Sequence, residues 1–154
     1  MKQTDYLLYL DETLAQLEEA LHWLQRSYRQ CAQIGLKAAY SADEFDKFEA
    51  LTSRFARVSD ILIQKVYRSI DAVEFESGGT MIDVVNRAEK RELVDSVDEV
   101  RLIKDLWNSI VHEYLKGSLV EIFQDTLKLT PRLIALVERA KDYRQRYEPN
   151  GDDE

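Results

Sequence analysis

The chain of 154 residues has few of the residues that interrupt helices. It contains five glycines and two prolines, and both prolines, Pro131 and Pro149, lie late in the sequence. Because proline removes a backbone donor and glycine weakens a helix interior, their scarcity leaves few places where a helix must end. The length suits one domain with a single hydrophobic core.

Cysteine and long apolar runs are equally scarce. The single cysteine, Cys31, excludes an internal disulfide and indicates a reducing compartment. Cys31 continues a helical stripe of apolar residues, which favours a packed thiol over a reactive one. No apolar run approaches the ~20 residues that span a bilayer, and the acidic pair Asp11-Glu12 comes too early for a signal peptide. We therefore expect a cytoplasmic protein that does not cross a membrane.

Positive charge is in deficit, since 29 acidic residues against 21 Lys and Arg give a net charge of −8 at pH 7. This balance argues against general nucleic-acid binding, which depends on neutralising phosphates, but it leaves room for a local basic groove. The histidines and the cysteine show no metal-ligand spacing, and Gly78-Gly79 is an isolated break and not a phosphate loop. We expect neither a metal nor a cofactor.

Apolar residues recur every three or four positions along almost the whole chain, which predicts an all-α protein. The predicted helices cover about residues 4–33, 42–75, 81–93, 97–115 and 119–147, and Ser41, Thr80 and Ser96 begin three of them with capping boxes. Pro131 implies either a kink in the last helix or two helices. One-sided apolar faces and short connections favour an antiparallel four-to-five-helix bundle over residues 1–147, followed by a disordered acidic tail at 148–154.

The stretch LWNSIVHEYL, residues 106–115, carries one of the two histidines. At about 100° per residue, one side of this helix faces the core and consists of Ile103, Leu106, Trp107, Ile110, Val111 and Tyr114. The other side holds His112, Asn108, Asp105, Lys104 and Arg101. An outward histidine beside an amide and cations can act as a general acid or base. The alternative, an ordinary solvated helix face, is favoured by the pattern alone.

A narrow arc of the second helix carries four cations, with Ile61 and Gln64 between them and the apolar side opposite. These cations are Arg54, Arg57, Lys65 and Arg68. A basic stripe on an acidic protein can follow RNA phosphates or dock an acidic partner. An ordinary charged face is again the alternative.

The run TMIDVVNRAEKRELVDSVDEVRLIKDLWNSIVHEYL resembles the HEPN superfamily, and within it the HepT-like proteins and the related substrate-binding partners of small nucleotidyltransferases. The preceding helix RFARVSDILIQKVYRSI resembles the same group, and the resemblance covers most of residues 4–145. Its most specific element is Asn-x-x-x-His-x-Tyr. The resemblance implies a bundle of four to five helices and a homodimer that brings two motifs together in a cleft. For many members it also implies metal-independent cleavage of RNA.

The resemblance assigns roles to three residues of this motif. His112 corresponds to the catalytic histidine, Asn108 to the polar residue beside it, and Tyr114 to the tyrosine to which an MntA-like nucleotidyltransferase antitoxin attaches AMP. The family arginine directly before the asparagine is replaced by Trp107. Losing one charge-stabilising donor typically costs about a hundredfold to a thousandfold in rate. Trp107 can stack on a base or simply pack, and Arg101 shares the face of His112 but lies outside the motif spacing.

Three functions follow from these observations. The first is a HepT-like toxin of a toxin–antitoxin pair, an endoribonuclease with His112 as acid–base and Arg101 or a stripe arginine replacing the missing cation. The second is a non-catalytic partner of a small nucleotidyltransferase, which keeps Tyr114 but not the cleavage chemistry. The third is a helical dimerisation module. The residues expected to bind RNA or a partner are Arg54, Arg57, Lys65, Arg68 and Lys104.

Overall fold

The computed structural model describes residues 2–112 and 119–147. Six α-helices lie in these ranges: α1 (Gln3–Ile34), α2 (Ala42–Asp60), α3 (Tyr67–Val73), α4 (Met81–Lys90), α5 (Val97–His112) and α6 (Leu119–Arg144). A π-helical segment, Ile61–Val66, connects α2 to α3, and a 3₁₀ turn, Gln145–Tyr147, follows α6. The described residues contain no strand, so the prediction of an all-α helical bundle is confirmed.

The α2–α3 rod is one continuous helix because the residues that join its α and π segments keep right-handed helical angles. It begins as predicted, with Ser41 Oγ accepting from the backbone N–H of Glu44 at 3.2 Å. The π segment has wider turns than an α-helix and shifts the side chains that follow it. Ile61, the first residue of the π segment, is 5% exposed and belongs to the core, so its placement on the basic side was wrong. The reason is that α1 packs along this segment.

Antiparallel pairs of long helices build the bundle. Contacts of Gln3 with Val73, Gln16 with Lys65 and Ser27 with Arg54 run α1 antiparallel to the α2–α3 rod. The pair of Asp11 with Arg144 and that of Glu18 with Lys141 do the same for α1 and α6. Helix α5 packs on α2 and α6, and α4 bridges α3 and α5. Apolar side chains of all six helices form one core between these elements.

Pro131 lies inside α6, which continues as one helix through it. Of the two alternatives for this stretch, a single helix is therefore the correct one. Two threonine hydroxyl groups that precede Pro131 donate to carbonyls one turn earlier in α6. Thr130 Oγ1 donates to the carbonyl of Thr126 at 2.6 Å, and Thr126 Oγ1 donates to the carbonyl of Ile122 at 2.7 Å. Among the described helices, none has the length and apolar character needed to cross a bilayer.

Candidate functional site

The outward side of α5 presents three of the predicted site residues in a row. Lys104, Asn108 and His112 follow one another at intervals of four residues and therefore share one face, with about 6 Å of helix between neighbours. Asn108 and His112 are exposed and Lys104 is half-buried. Within the described part of the chain, the side chains of Asn108 and His112 have no hydrogen-bond or ionic partner. We call these three residues the α5 ridge.

The inward side of α5 is narrower than its apolar pattern predicts. Ile103, Leu106 and Ile110 are buried, as expected, but Val111 is 55% exposed and its assignment to the core side was wrong. Trp107 is half-buried. In the described residues α5 packs mainly against α2, α4 and α6, and this packing leaves the Val111 side chain exposed. Trp107, the position at which the HEPN-like resemblance places an arginine, thus carries an indole that packs partly against the bundle.

Arg101 and His112 are eleven residues apart, which corresponds to roughly 16 Å along the helix at about 1.5 Å per residue. The guanidinium is 65% exposed and forms an ion pair with Asp98 at 3.6 Å. Together with Lys104, Arg101 lines a shallow apolar groove between α4 and α5 that also contains Ile82. Arg101 therefore belongs to the far end of the α5 face.

Tyr114, the predicted acceptor of AMP, lies outside the described residues. The acidic tail predicted at 148–154 also lies outside them. The geometry of the α5 ridge therefore ends at His112, the last described residue of the helix.

A groove of about 630 Å³ separates α5 from α6 on the side of Leu102 and Ser109. Its walls are charged, with Asp105, Glu121 and Asp125 opposed by Lys128 and Arg132. Over residues 2–112 and 119–147, no three His, Cys, Asp or Glu side chains come close enough to hold a metal ion. The groove is therefore a mixed-charge cleft and not a metal centre.

The four cations of the basic stripe line a surface groove between α1 and the α2–α3 rod. Arg54 donates to Ser27 Oγ at 2.6 Å and lies over the Trp23 ring at 5.3 Å, so its charge is engaged by α1. Lys65 donates to Gln16 Oε1 at 3.3 Å. Arg57 lines one pocket with Arg54 and Trp23, and Arg68 lines a second pocket with Lys65 and Tyr9. The structure thus brings the stripe together on one side, but away from the α5 ridge, since no ridge residue lines this groove.

The surface between α1 and the α2–α3 rod is called the α1 groove below. Two of its features were missed by the sequence-based predictions. Acidic residues of α1, including Glu12 and Glu19, line it opposite the cations. Apolar side chains also reach its surface, with Leu8 63%, Tyr9 52% and Trp23 45% exposed. The sequence of α1 does indicate this exposed apolar face, because Leu8, Tyr9 and Trp23 lie outside the apolar stripe and share one outer side of the helix. The groove is consequently amphipathic and not simply basic.

A buried network of charged residues was also missed. Asp71 is 2% exposed and accepts hydrogen bonds from Arg87 at 3.0 Å and from Arg91. Arg91 Nε also pairs with Glu74 at 3.1 Å. Because these residues come from α3 and from the end of α4, the network attaches α4 to the rod. In the sequence, the feature that could have indicated this network is the spacing of Arg87 and Arg91, which lie one turn apart on the helix that follows Asp71.

The same Glu74 carboxylate holds the end of the described chain. Tyr143 Oη donates to Glu74 Oε2 at 2.8 Å, and the Tyr147 hydroxyl donates to the same oxygen. Burial alone would raise the pKa of Glu74, but hydrogen bonds from both tyrosines and the nearby Arg91 charge hold it below its usual value. Burial and the bond to Glu74 raise the pKa of Tyr147. These pKa shifts indicate a structural hydrogen-bonded cluster in which Glu74 stays ionised and the tyrosines stay protonated.

Cys31 is buried, and its Sγ donates to the Lys47 carbonyl at 3.4 Å. Burial raises the pKa of this thiol to about 11. Since the thiolate is the reactive form of cysteine, Cys31 is a packing residue, in agreement with the prediction.

These elements define an all-α helical bundle protein with an exposed polar ridge on α5 and an amphipathic groove beside α1. Comparison with protein-family models, with curated proteins and with solved structures finds no match to this chain.

Proposed function

We propose that the chain is a HepT-like HEPN toxin, a metal-independent endoribonuclease that a small MntA-like nucleotidyltransferase neutralises. The observation that carries this proposal is the α5 ridge. His112 is exposed with Asn108 one turn before it, and within the described residues neither side chain is committed to a structural contact. An imidazole can both accept and donate a proton, so an uncommitted histidine on a polar ridge is suited to proton transfer.

The ridge carries side chains that metal-independent RNA cleavage can use. In this reaction the 2′-oxygen attacks the adjacent phosphorus, and the bond from phosphorus to the 5′-oxygen breaks. His112 accepts the proton of the attacking hydroxyl and returns a proton to the departing oxygen. The Asn108 amide donates to a phosphate oxygen, where negative charge develops. Lys104 lies about 12 Å from His112 along the helix axis, a distance that suits a neighbouring phosphate.

Trp107 favours a second candidate function, the non-catalytic partner of a nucleotidyltransferase. The indole is half-buried at the position where the HEPN-like motif has an arginine. A site without that charge stabilises a cleavage transition state poorly. In this alternative the α5 ridge is a docking face and RNA is not cleaved.

Expression of the chain alone and together with a small nucleotidyltransferase separates these functions. A HepT-like toxin arrests growth and degrades RNA when expressed alone, and the nucleotidyltransferase reverses both effects. A non-catalytic subunit leaves growth and RNA intact but forms a stable complex with the nucleotidyltransferase. A chain that does neither is a dimerisation module, and this result would refute the proposal.

His112→Ala tests the catalytic assignment in purified protein. We expect cleavage to be abolished while the free energy of unfolding stays within about 0.5 kcal/mol, because the side chain is exposed. The matched control is His22→Ala, which removes the other histidine, an exposed residue of α1 that lies edge-on against Trp23. Cleavage that survives His112→Ala, or that His22→Ala also removes, contradicts the role of His112.

A further inference from the structure

The groove between α5 and α6, called the α5–α6 groove, has a volume typical of sites for small molecules. It holds about 630 Å³, and such sites measure roughly 300–1,000 Å³. The apolar part of its lining consists of Leu102, Leu106, Ile122 and Leu129. Leu102 is 52% exposed, so an apolar group of a ligand can reach this lining from solvent. Among the described residues that line the groove, none belongs to the α5 ridge.

The directions of the two helices fix the level of each charge in the groove. Helices α5 and α6 run antiparallel, since only a short connection separates them. Glu99 of α5 shares a neighbouring pocket with Arg132 of α6. Asp105 follows Glu99 by six residues and Asp125 precedes Arg132 by seven, so the two aspartates lie at about the same level on opposite walls. Lys128 and Arg132 lie beyond them, towards the C-terminal end of α6.

The charges of the α5–α6 groove are grouped by sign and lack partners. Within the described residues, the side chains of Asp105, Asp125, Lys128 and Arg132 take part in no ion pair or hydrogen bond. The two aspartates approach from different helices. Lys128 and Arg132 lie one turn apart on α6, a spacing at which like charges repel. A ligand that brings a cation to the aspartates and an anion to the basic pair relieves both repulsions.

The distance between the two charge groups limits the choice of ligand. From Asp125 to midway between Lys128 and Arg132 is about 7 Å along α6. The ammonium and carboxylate of a single α-amino acid are too close together to reach both groups. Two extended residues span about 7 Å. Nucleic acid does not fit, because its phosphates would lie against Asp105 and Asp125.

We propose that the α5–α6 groove binds a zwitterionic dipeptide with apolar side chains. Its amino terminus lies between Asp105 and Asp125, and its carboxylate lies at Lys128 and Arg132. The apolar side chains lie on the leucine and isoleucine lining between the two walls. Charge-assisted hydrogen bonds at both ends and apolar contact between them together select this class of ligand. This inference does not rest on the ribonuclease function, because the groove and the α5 ridge share no described residue.

Three peptides of nearly equal size test the site by NMR titration of the isotopically labelled full chain. Leucyl-leucine carries both charges and should bind with a dissociation constant on the order of 1 mM or tighter. N-acetyl-leucyl-leucine lacks the ammonium, and leucyl-leucine amide lacks the carboxylate. Each blocked peptide should bind at least about tenfold more weakly, because one charge-assisted contact is lost.

Two variants assign the ends of the peptide. Asp125→Asn should weaken leucyl-leucine at least about tenfold but leave the weak binding of N-acetyl-leucyl-leucine unchanged, since that peptide has no cation to lose. The double variant Lys128→Gln and Arg132→Gln should weaken leucyl-leucine and leave leucyl-leucine amide unchanged. Asp142→Asn, which changes an exposed residue near the end of α6, is the matched control and should bind like the wild type. Circular dichroism of all variants should match the wild type, because the substituted side chains are exposed.

Three results would overturn the proposal. One is a wild-type spectrum that leucyl-leucine leaves unchanged at about 10 mM, tenfold above the expected constant. Another is equal affinity for the three peptides, which would show that neither charge is recognised. The third is binding of leucyl-leucine that Asp125→Asn and the double variant leave as strong as in the wild type, which would place the peptide outside the α5–α6 groove.

Discussion

Arg87 Nη1 donates to Asp71 Oδ2 at 3.0 Å, and the other oxygen of this buried carboxylate accepts from Arg91. The pair joins the end of the α2–α3 rod to α4, a helix of 10 residues that also buries Val84, Val85 and Ala88. A buried carboxylate is tolerated only when it is paired and hydrogen-bonded. The position of α4, and with it one flank of α5, thus depends on Asp71.

Asp71→Ala is therefore expected to destabilise the protein strongly. The substitution leaves Arg91, which is 8% exposed, without its main partner, and breaking a buried pair in this way costs about 3–5 kcal/mol. Urea unfolding followed by circular dichroism measures the change. The matched control is Asp98→Ala, which removes the exposed pair with Arg101 and should cause no measurable loss. Equal stability of the two variants would show that the Asp71 network does not hold α4.

The Glu74–Tyr147 contact predicts a dependence of stability on alkaline pH. The pKa of Tyr147 is raised in the folded protein by burial and by the bond to Glu74. Its contribution is therefore complete below the unfolded pKa of about 10 and is lost as the pH rises above it. Tyr147→Phe should flatten the fall of the melting temperature between pH 9 and pH 11, approximate limits set around that value. Tyr28→Phe, outside this network, should leave the slope as in the wild type.

Glu74 predicts the opposite dependence of stability on pH, a loss of stability as the pH falls into the acid range. Its folded pKa lies below the usual value, so its stabilising contribution is present above about pH 4.3 and is lost as the pH falls. Glu74→Gln should reduce the loss of stability on acidification, as measured by thermal unfolding. An unchanged acid profile would mean that Glu74 is not held ionised by Tyr143, Tyr147 and Arg91.

Trp107→Arg tests whether the ridge is otherwise competent for cleavage. The proposed ribonuclease lacks the family guanidinium beside Asn108, and restoring such a donor is worth about a hundredfold to a thousandfold in rate. We expect RNA cleavage to increase towards that range, as measured by gel electrophoresis of a labelled single strand. Trp107→Phe controls for the loss of the indole. A folded Trp107→Arg protein with background cleavage only would favour the non-catalytic subunit.

Tyr114 is the proposed site of modification by the partner enzyme. Intact-mass spectrometry after incubation with an MntA-like nucleotidyltransferase, ATP and Mg²⁺ should show the addition of AMP units. Tyr114→Phe should abolish the gain and should abolish the protection from toxicity as well. The exposed Tyr9→Phe variant serves as the control and should be modified like the wild type. A mass gain that persists in Tyr114→Phe would place the modification elsewhere.

Particular residues show where the sequence-based predictions were correct. The capping box at Ser41 begins α2 as expected, and the acidic position at Asp83 accepts from the backbone N–H of Thr80 at 2.9 Å. Cys31 is a packed thiol, as its place in the apolar stripe indicated. Local signals of this kind are reliable because they depend on neighbours within one helical turn.

Other residues show what a helical wheel omits. Ile61, at the start of the wider π-helical turn, is buried because α1 packs along this segment, and Val111 is exposed although it belongs to the apolar pattern of α5. Arg91 lies 20 residues from Asp71, and Tyr143 lies 69 residues from Glu74, so their pairing depends on the route of the chain through α4 and α6. Neither the wider turn nor these distant contacts can be read from a period of 3.6 residues.

The sequence by itself determined the helices, most of their ends and the outward position of Asn108 and His112, because periodicity and capping act over one or two turns. Only the tertiary structure decided how these faces are used. Packing of α1 against the rod gave the basic stripe an acidic and aromatic opposite wall, and it separated that stripe from the α5 ridge. The physical reason is that burial and charge pairing depend on which helices are adjacent, and adjacency follows from how all the apolar faces are buried together.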